Sequence, residues 1–483
     1  MISRFTSFLI ASLLSCGSLF ASDLQHTIDS LIALEAARGA SWSVCFASTK
    51  DNKEIVSFDK DRMAIPASVT KLWTSAAALD ALGPEFRFKT TFHAAGTLGS
   101  DGALQGDLIV QGGGDPTFEI KSNYGRNKPA LDDVAQKLHD AGLKKVRGNL
   151  IVYGGANVTE CAPRVWEIGD LREGFAPAVS GLGFNNNVCN IEIRAGDSVG
   201  DTVEIRLDPP YAPVNVLRNA LTVAAGNDSW IDFLVVPCRD ELELRGQMAR
   251  GDKPQYIWFP LQSPLKYFGL ALRDALARKG IEVSGAVEIR EGKYQNGKQL
   301  LEYFSPPLTQ LLELVNKDSD NYTAEYLLRA AGVARHGVGS TEAGLRAVQR
   351  FARESGITRD DCTLEDGCGL SRQNLVSASA LVKMLNRIAS SVNAQAFESS
   401  LSVSGMDGTI GSRLSSDGLL GRVRAKTGTI RHVSALAGYL ALDNGEKISF
   451  AILANNFRCS RNYIRRMQDE MIRAVFQSAN HSS

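Results

Sequence analysis

The sequence has no excess of charge of either sign. Its 483 residues carry 53 Lys and Arg against 53 Asp and Glu. A polyphosphate partner needs a basic surface, so nucleic acid is not the expected ligand. The chain is also poor in aromatics, at 7%, and holds only six histidines. Its eight cysteines form no CxxC pair and no His/Cys cluster at zinc spacing, so neither a metal nor any other cofactor is expected. After residue 22 no stretch is apolar enough to cross a bilayer. The remaining composition, 44% hydrophobic and 22% charged, is that of an ordinary globular protein, and the length calls for at least two domains.

The N-terminus departs from that texture. Arg4 supplies a positive charge, Phe8 to Leu14 is a short apolar run, and small residues lead to Ala21-Ser22. That order is a secretory leader, residues 1–21, which places the mature chain in the periplasm or cell envelope. A second cleavage signature, Leu13-Leu14-Ser15-Cys16, would make Cys16 a lipidated anchor and give membrane association. Cleavage after Ala21 leaves Cys45, Cys161, Cys189, Cys238, Cys362, Cys368 and Cys459, an odd number, with the pairing open.

Alternating segments at Ala40 to Ser48 and Glu54 to Phe58 predict two strands, and the alanine-rich stretch Lys71 to Leu82 predicts a helix stopped by Gly83-Pro84. From about Phe86 to Pro260 short Val/Ile-rich runs alternate with Gly, Asp and Asn turns, the pattern of a mostly β region. From Leu265 apolar residues recur at three and four spacing, and the chain ends in three strands and a helix, Arg461 to Phe476. The expected division is 22–89 and 264–483 as two parts of one α/β (α+β) catalytic domain, with 90–263 as a β-rich insertion. Gly112-Gly113-Gly114 lacks the lysine and following helix of a phosphate-binding loop and reads as a tight turn.

Three motifs stand in order: Ser68-Val69-Thr70-Lys71, Ser319-Asp320-Asn321 and Lys426-Thr427-Gly428. Together they are the trio of serine β-lactamases and penicillin-binding proteins. Each part has a chemical reason. A serine hydroxyl needs a base within hydrogen-bond reach, and residues three apart share a helix face, so Ser68 at a helix start meets the amine of Lys71. Lys426 supplies a second cation that favours a neutral Lys71 and suits a terminal carboxylate. Ser319 can relay a proton, and Asn321 can orient Lys71 and bind the substrate amide. The backbone N–H groups of Ser68 and Thr429 can form an oxyanion hole. Taken singly, Ser68 could be a helix cap, Lys71 a solvated charge and Lys426 an edge-strand lysine. Decoys exist at Ser263-Pro264-Leu265-Lys266 and Ser391-Val392-Asn393, where a helix start and a helix end explain the residues, whereas Lys-Thr-Gly occurs once.

The sequence resembles the low-molecular-mass class C penicillin-binding proteins, the D-alanyl-D-alanine carboxypeptidase/endopeptidase family. The resemblance extends to Gly106-Asp107-Leu108, Gly112 to Thr117, Asp366-Gly367-Cys368-Gly369-Leu370-Ser371-Arg372, Asp407-Gly408-Thr409 and Leu436-Ala437-Gly438-Tyr439. It implies a penicillin-binding/serine β-lactamase-like domain, a sheet flanked by helices, acting on peptidoglycan peptide and acylated by β-lactam antibiotics. It also implies that Arg372 lies near a pocket for a side-chain carboxylate, reached by Trp166, although Trp166 equally suits a core position. Cys368 stands where that family usually has serine. A serine β-lactamase and a catalytically weak β-lactam or peptidoglycan-binding module are the competing expectations. A lactamase needs fast deacylation, usually with an added glutamate, and a far shorter chain suffices for it.

Overall fold

The computed structural model describes residues 23–34, 39–118, 130–161 and 163–481. The expected leader and Cys16 lie outside these residues. The chain divides into two compact units: Met1–Pro84, Leu308–Asp320 and Leu345–Ser483 form the first, Glu85–Pro307 and Asn321–Gly344 the second.

The first unit is built on a six-stranded antiparallel sheet, in the order Ser402–Val403, Val423–Ile430, Val433–Ala441, Lys447–Asn455, Ser41–Ser48, Glu54–Phe58. Its N-terminal and C-terminal strands are partners, with Ser41 opposite Asn455 and Ser48 opposite Ile448. The two-residue period sends Trp42, Val44 and Phe46 to one face, where they meet Ile464, Met467, Met471 and Val475 of helix Arg461–His481. Helix Ala378–Ala389 covers the other face. There the Tyr439 hydroxyl donates to Leu385 O at 2.7 Å, and Ala378 N donates to Ser43 Oγ at 3.2 Å.

Helix Thr70–Leu82 is buried from Thr70 through Leu79. Such a helix has no polar face to give to water, and its alanines let neighbours approach closely. Full burial of Leu72 stabilises by roughly 2 kcal/mol. The helix ends at Gly83, whose φ of +79° an L-residue adopts only at a cost.

The second unit contains a seven-stranded mixed sheet and two three-stranded sheets. Strands Lys89–Leu98 and Ala103–Gln111 form a hairpin, and Lys298–Phe304 pairs antiparallel to the first of them. Helices Ala130–Asp140 and Pro264–Arg278 lay Leu131, Val134, Leu138, Leu265, Phe268, Leu272 and Leu276 into one core with Phe92, Leu104 and Leu108. Sequence texture placed the return to the first unit at residue 264. The structure keeps the chain in the second unit to Pro307, because a helical stripe announces a buried face without naming the core it enters. Gly112 lies against backbone, where a Cβ would stand 2.3 Å from Gly181 O. Cys161 and Cys238 form a disulfide in this unit. Cys45, Cys189, Cys362 and Cys368 are buried thiols outside any disulfide, and Cys459 is a half-buried one.

Candidate active site

Ser68 lies in a 3-10 turn, Ala67–Val69, that runs directly into helix Thr70–Leu82. The sequence placed it at the start of an α-helix. The tighter winding of the turn stacks side chains three apart more nearly over one another. Lys71 Nζ donates to Ser68 Oγ at 3.1 Å. Ala67 has φ of +47°, a left-handed conformation that costs an alanine on the order of 1 kcal/mol. Two close-passing segments hold it. A Cβ on Gly369 would lie 2.0 Å from Ala67 O, and one on Gly428 would lie 2.3 Å from Pro66 O. Both neighbours are glycine because no side chain fits.

Lys71 is fully buried and also donates to Cys368 O at 2.5 Å. The loop that presents this carbonyl is knitted by two buried side chains. Asp366 Oδ1 accepts from Gly369 N and from Asn374 Nδ2, each at 2.8 Å, and Oδ2 accepts from Ser371 N at 2.7 Å. Asn374 Oδ1 accepts from Glu365 N at 2.7 Å. Thr74, one helical turn beyond Lys71, donates to Gly367 O at 2.6 Å. Because Cys368 serves Lys71 through its backbone, a thiol in place of a hydroxyl leaves that contact intact. Arg372 follows in the same loop and donates from Nη2 to Arg431 O at 3.2 Å, just past the end of strand Val423–Ile430.

Ser319 lies in the loop between helices Leu308–Asn316 and Asn321–His336, with φ of +62°. Lys426, fully buried on strand Val423–Ile430, donates to Ser319 Oγ at 2.8 Å and to Thr427 O at 2.9 Å. Burial, and then the Lys71 amine beside it, holds Lys426 well below the usual lysine range. The structure thus gathers Ser68, Lys71, Ser319 and Lys426 around one sheet edge, with Gly428 packed on the serine turn and Thr429 paired with Ser434. Asn321 opens its helix in the second unit and donates from Nδ2 to Phe175 O at 3.0 Å. Trp166 is buried in the second unit.

The decoy motifs have local uses. Ser263 precedes a helix with proline in its first turn. Ser391 donates to Ile388 O at 2.8 Å, and Asn393 donates to Leu79 O at 3.3 Å. Sequence reasoning assigned no part to Asn316. Its side chain accepts from Ser75 Oγ at 3.3 Å and donates to Ser400 Oγ at 2.8 Å, tying the Ser319 loop to the serine helix.

A sheet strand that brings a buried amine to a serine–lysine turn is the arrangement of the penicillin-binding and serine β-lactamase-like class. Comparison with known proteins agrees. The sequence matches the D-Ala-D-Ala carboxypeptidase 3 (S13) family over residues 24–477, and the chain belongs to that family. It is 29% identical over 410 residues to the D-alanyl-D-alanine carboxypeptidase DacB of Haemophilus influenzae, covering 84% of this chain and 83% of that one. It is 29% identical over 447 residues to a D-alanyl-D-alanine carboxypeptidase of Actinomadura sp., covering 90% and 81%. The crystal structure of penicillin binding protein 4 (dacB) from Haemophilus influenzae matches with a TM-score of 0.80 at 27% identity, over 94% of this chain and 99% of that one. That protein has also been solved complexed with a β-lactam.

Proposed function

We propose that this D-Ala-D-Ala carboxypeptidase acts on peptidoglycan stem peptides through an acyl-enzyme at Ser68. The observation that carries the reading is Lys71 Nζ at 3.1 Å from Ser68 Oγ, in a buried site that also contains Lys426. Two amines taken out of water hold one proton more readily than two, so the pair titrates as a unit. In its neutral form Lys71 is the base. It takes the Ser68 proton as Oγ attacks the carbonyl carbon of the penultimate D-alanine. The backbone N–H groups of Ser68 and Thr429 receive the oxyanion. Ser319, hydrogen-bonded to Lys426, passes a proton to the leaving amine, and terminal D-alanine departs. Water then attacks the ester, the proton returns to Ser68, and the shortened peptide leaves. Asn321 is the motif's residue for the substrate amide.

A β-lactam carries a strained amide and a carboxylate, so it enters the same sequence as far as the ester. Its leaving nitrogen stays tethered after the ring opens, which supports its reading as a covalent inhibitor. The residues 1–21 leader supports export to the periplasm or cell envelope, where the polymer lies, with membrane association only if Cys16 is lipidated. Arg372 offers a guanidinium fork for the side-chain carboxylate of a diamino acid next to the D-alanine. The test is D-alanine release from stem peptides carrying diaminopimelate or lysine. Wild type should release D-alanine, Ser68→Ala should not, and Arg372→Ala should slow the diaminopimelate peptide selectively. Equal slowing of both peptides would remove Arg372 from the pocket, and release by Ser68→Ala would overturn the acyl-enzyme.

A further inference from the structure

Lys426 has no exposed surface, and its amine already donates to Ser319 Oγ and Thr427 O. An anionic substrate end therefore meets hydroxyls before it meets the ammonium. Thr427 is the half-buried hydroxyl beside Lys426, and it has one proton to give. In the structure that proton points sideways: Thr427 Oγ1 donates to Thr409 Oγ1 at 2.9 Å.

Thr409 is exposed, yet the turn that carries it is firmly built. Ile410 anchors the turn in the core of the first unit. Thr409 N donates to Ser402 Oγ at 3.1 Å. Asp407 closes the turn by accepting from Val403 N at 2.8 Å through Oδ1. Its Oδ2 accepts from Lys317 Nζ at 2.7 Å, two residues before Ser319. A Cβ on Gly408, whose φ is +59°, would stand 2.2 Å from Ser402 Oγ. One turn thus reaches both the serine loop and the Lys-Thr-Gly strand.

We infer that Thr409 is a positioning residue that sets the Thr427 hydroxyl for a substrate carboxylate. The inference rests on the proposed reading of the Lys426–Thr427 edge as the carboxylate site. When an anion arrives, the Thr427 proton turns outward to it. The lone pair this leaves facing Thr409 is then met by the Thr409 hydroxyl, which reverses from acceptor to donor. Two hydroxyls in series can reverse because each has one proton and two lone pairs. Serine at position 409 can do the same, and valine, equal in shape, cannot. The device discriminates by charge, because a neutral substrate end makes no such demand on the Thr427 proton.

The experiment compares wild type, Thr409→Val and Thr409→Ser. It measures kcat and KM on an acyl-D-Ala-D-Ala peptide, and acylation by benzylpenicillin and by its methyl ester. Thr409→Val should raise KM by about 3- to 10-fold with kcat little changed, the range of one oriented hydrogen bond. Its acylation by benzylpenicillin should fall by a similar factor while acylation by the ester holds, and Thr409→Ser should restore the wild-type values. Position 409 is exposed, so both variants should melt with wild type. An unchanged KM, equal losses on acid and ester, or a serine variant as poor as the valine one would overturn the role of Thr409. A wild-type protein that neither releases D-alanine nor takes penicillin would instead overturn the functional reading, and this inference with it.

Discussion

Gly428 passes so close to the turn bearing Ser68 that a Cβ on it would stand 2.3 Å from Pro66 O and 3.1 Å from Val69 N. The third residue of Lys-Thr-Gly is therefore a spacer that lets the strand touch the turn bearing Ser68. Gly428→Ala must push the two apart. The expected outcome is a loss of about 1–3 kcal/mol in stability, the usual range for overpacking. Displacing Ser68 from Lys71 should slow acylation on the order of 100-fold. Thermal melting and the rate of penicillin acylation check both figures. Acylation at the wild-type rate would contradict the spacer role.

In the second unit Arg329 is buried among acceptors. Its Nη1 donates to Val158 O at 2.8 Å and Val179 O at 3.1 Å, and its Nη2 donates to Glu160 Oε2 at 2.7 Å. Thr341 donates to the same carboxylate oxygen at 2.7 Å. This clamp holds Val158, Glu160 and Val179 against the helix that opens with Asn321. Arg329→Met should destabilise by about 3 kcal/mol, because it removes the cation paired with Glu160 and takes a donor from Val158 O and Val179 O. Adding Glu160→Gln should recover part of the loss. Urea denaturation measures both, and an additive double variant would contradict the coupling.

Lys426 gives a pH prediction. Its folded value lies well below the usual 10.5. Between that depressed value and 10.5 the unfolded chain binds a proton that the folded chain does not, so this residue makes stability rise with pH. Below the depressed value both states are charged and its slope vanishes. Denaturation of wild type and Lys426→Met from neutral to alkaline pH should show the difference moving towards wild type as pH climbs. A difference independent of pH would contradict the buried titration.

The Cys161–Cys238 bridge closes a loop with a sequence separation of 77. Its loss should cost roughly 4 kcal/mol by the chain-entropy estimate. A double Cys→Ser variant at these positions should melt lower than wild type, and an unchanged melting temperature would contradict a stabilising role.

The Ser68–Lys71 contact was legible because the relation is local: three residues on one winding bring the lysine amine to the serine hydroxyl. Lys426 was legible because its tripeptide occurs once. The strands at both chain ends read correctly because burial on one or both faces leaves a strong apolar pattern. What escaped was long-range. Nothing near Asn316 says that it meets Ser75 and Ser400, and nothing near Asp366 says that its carboxylate shapes the loop offering Cys368 O to Lys71. Helix Pro264–Arg278 has the apolar period of a core helix, and that period is the same whichever core receives it. The cysteine count left the pairing open because Cys161 and Cys238 meet only through the fold.

Acylation of Ser68, with Lys71 as its base, is open to one direct measurement. Mass spectrometry of the intact protein after benzylpenicillin, followed by digestion, tests it most directly. One persistent adduct is expected on the peptide containing Ser68, with none on Lys71→Ala. An adduct on Ser263 or Ser319, or labelling of Lys71→Ala at the wild-type rate, would contradict the account, and rapid loss of the Ser68 adduct would turn it towards a β-lactamase.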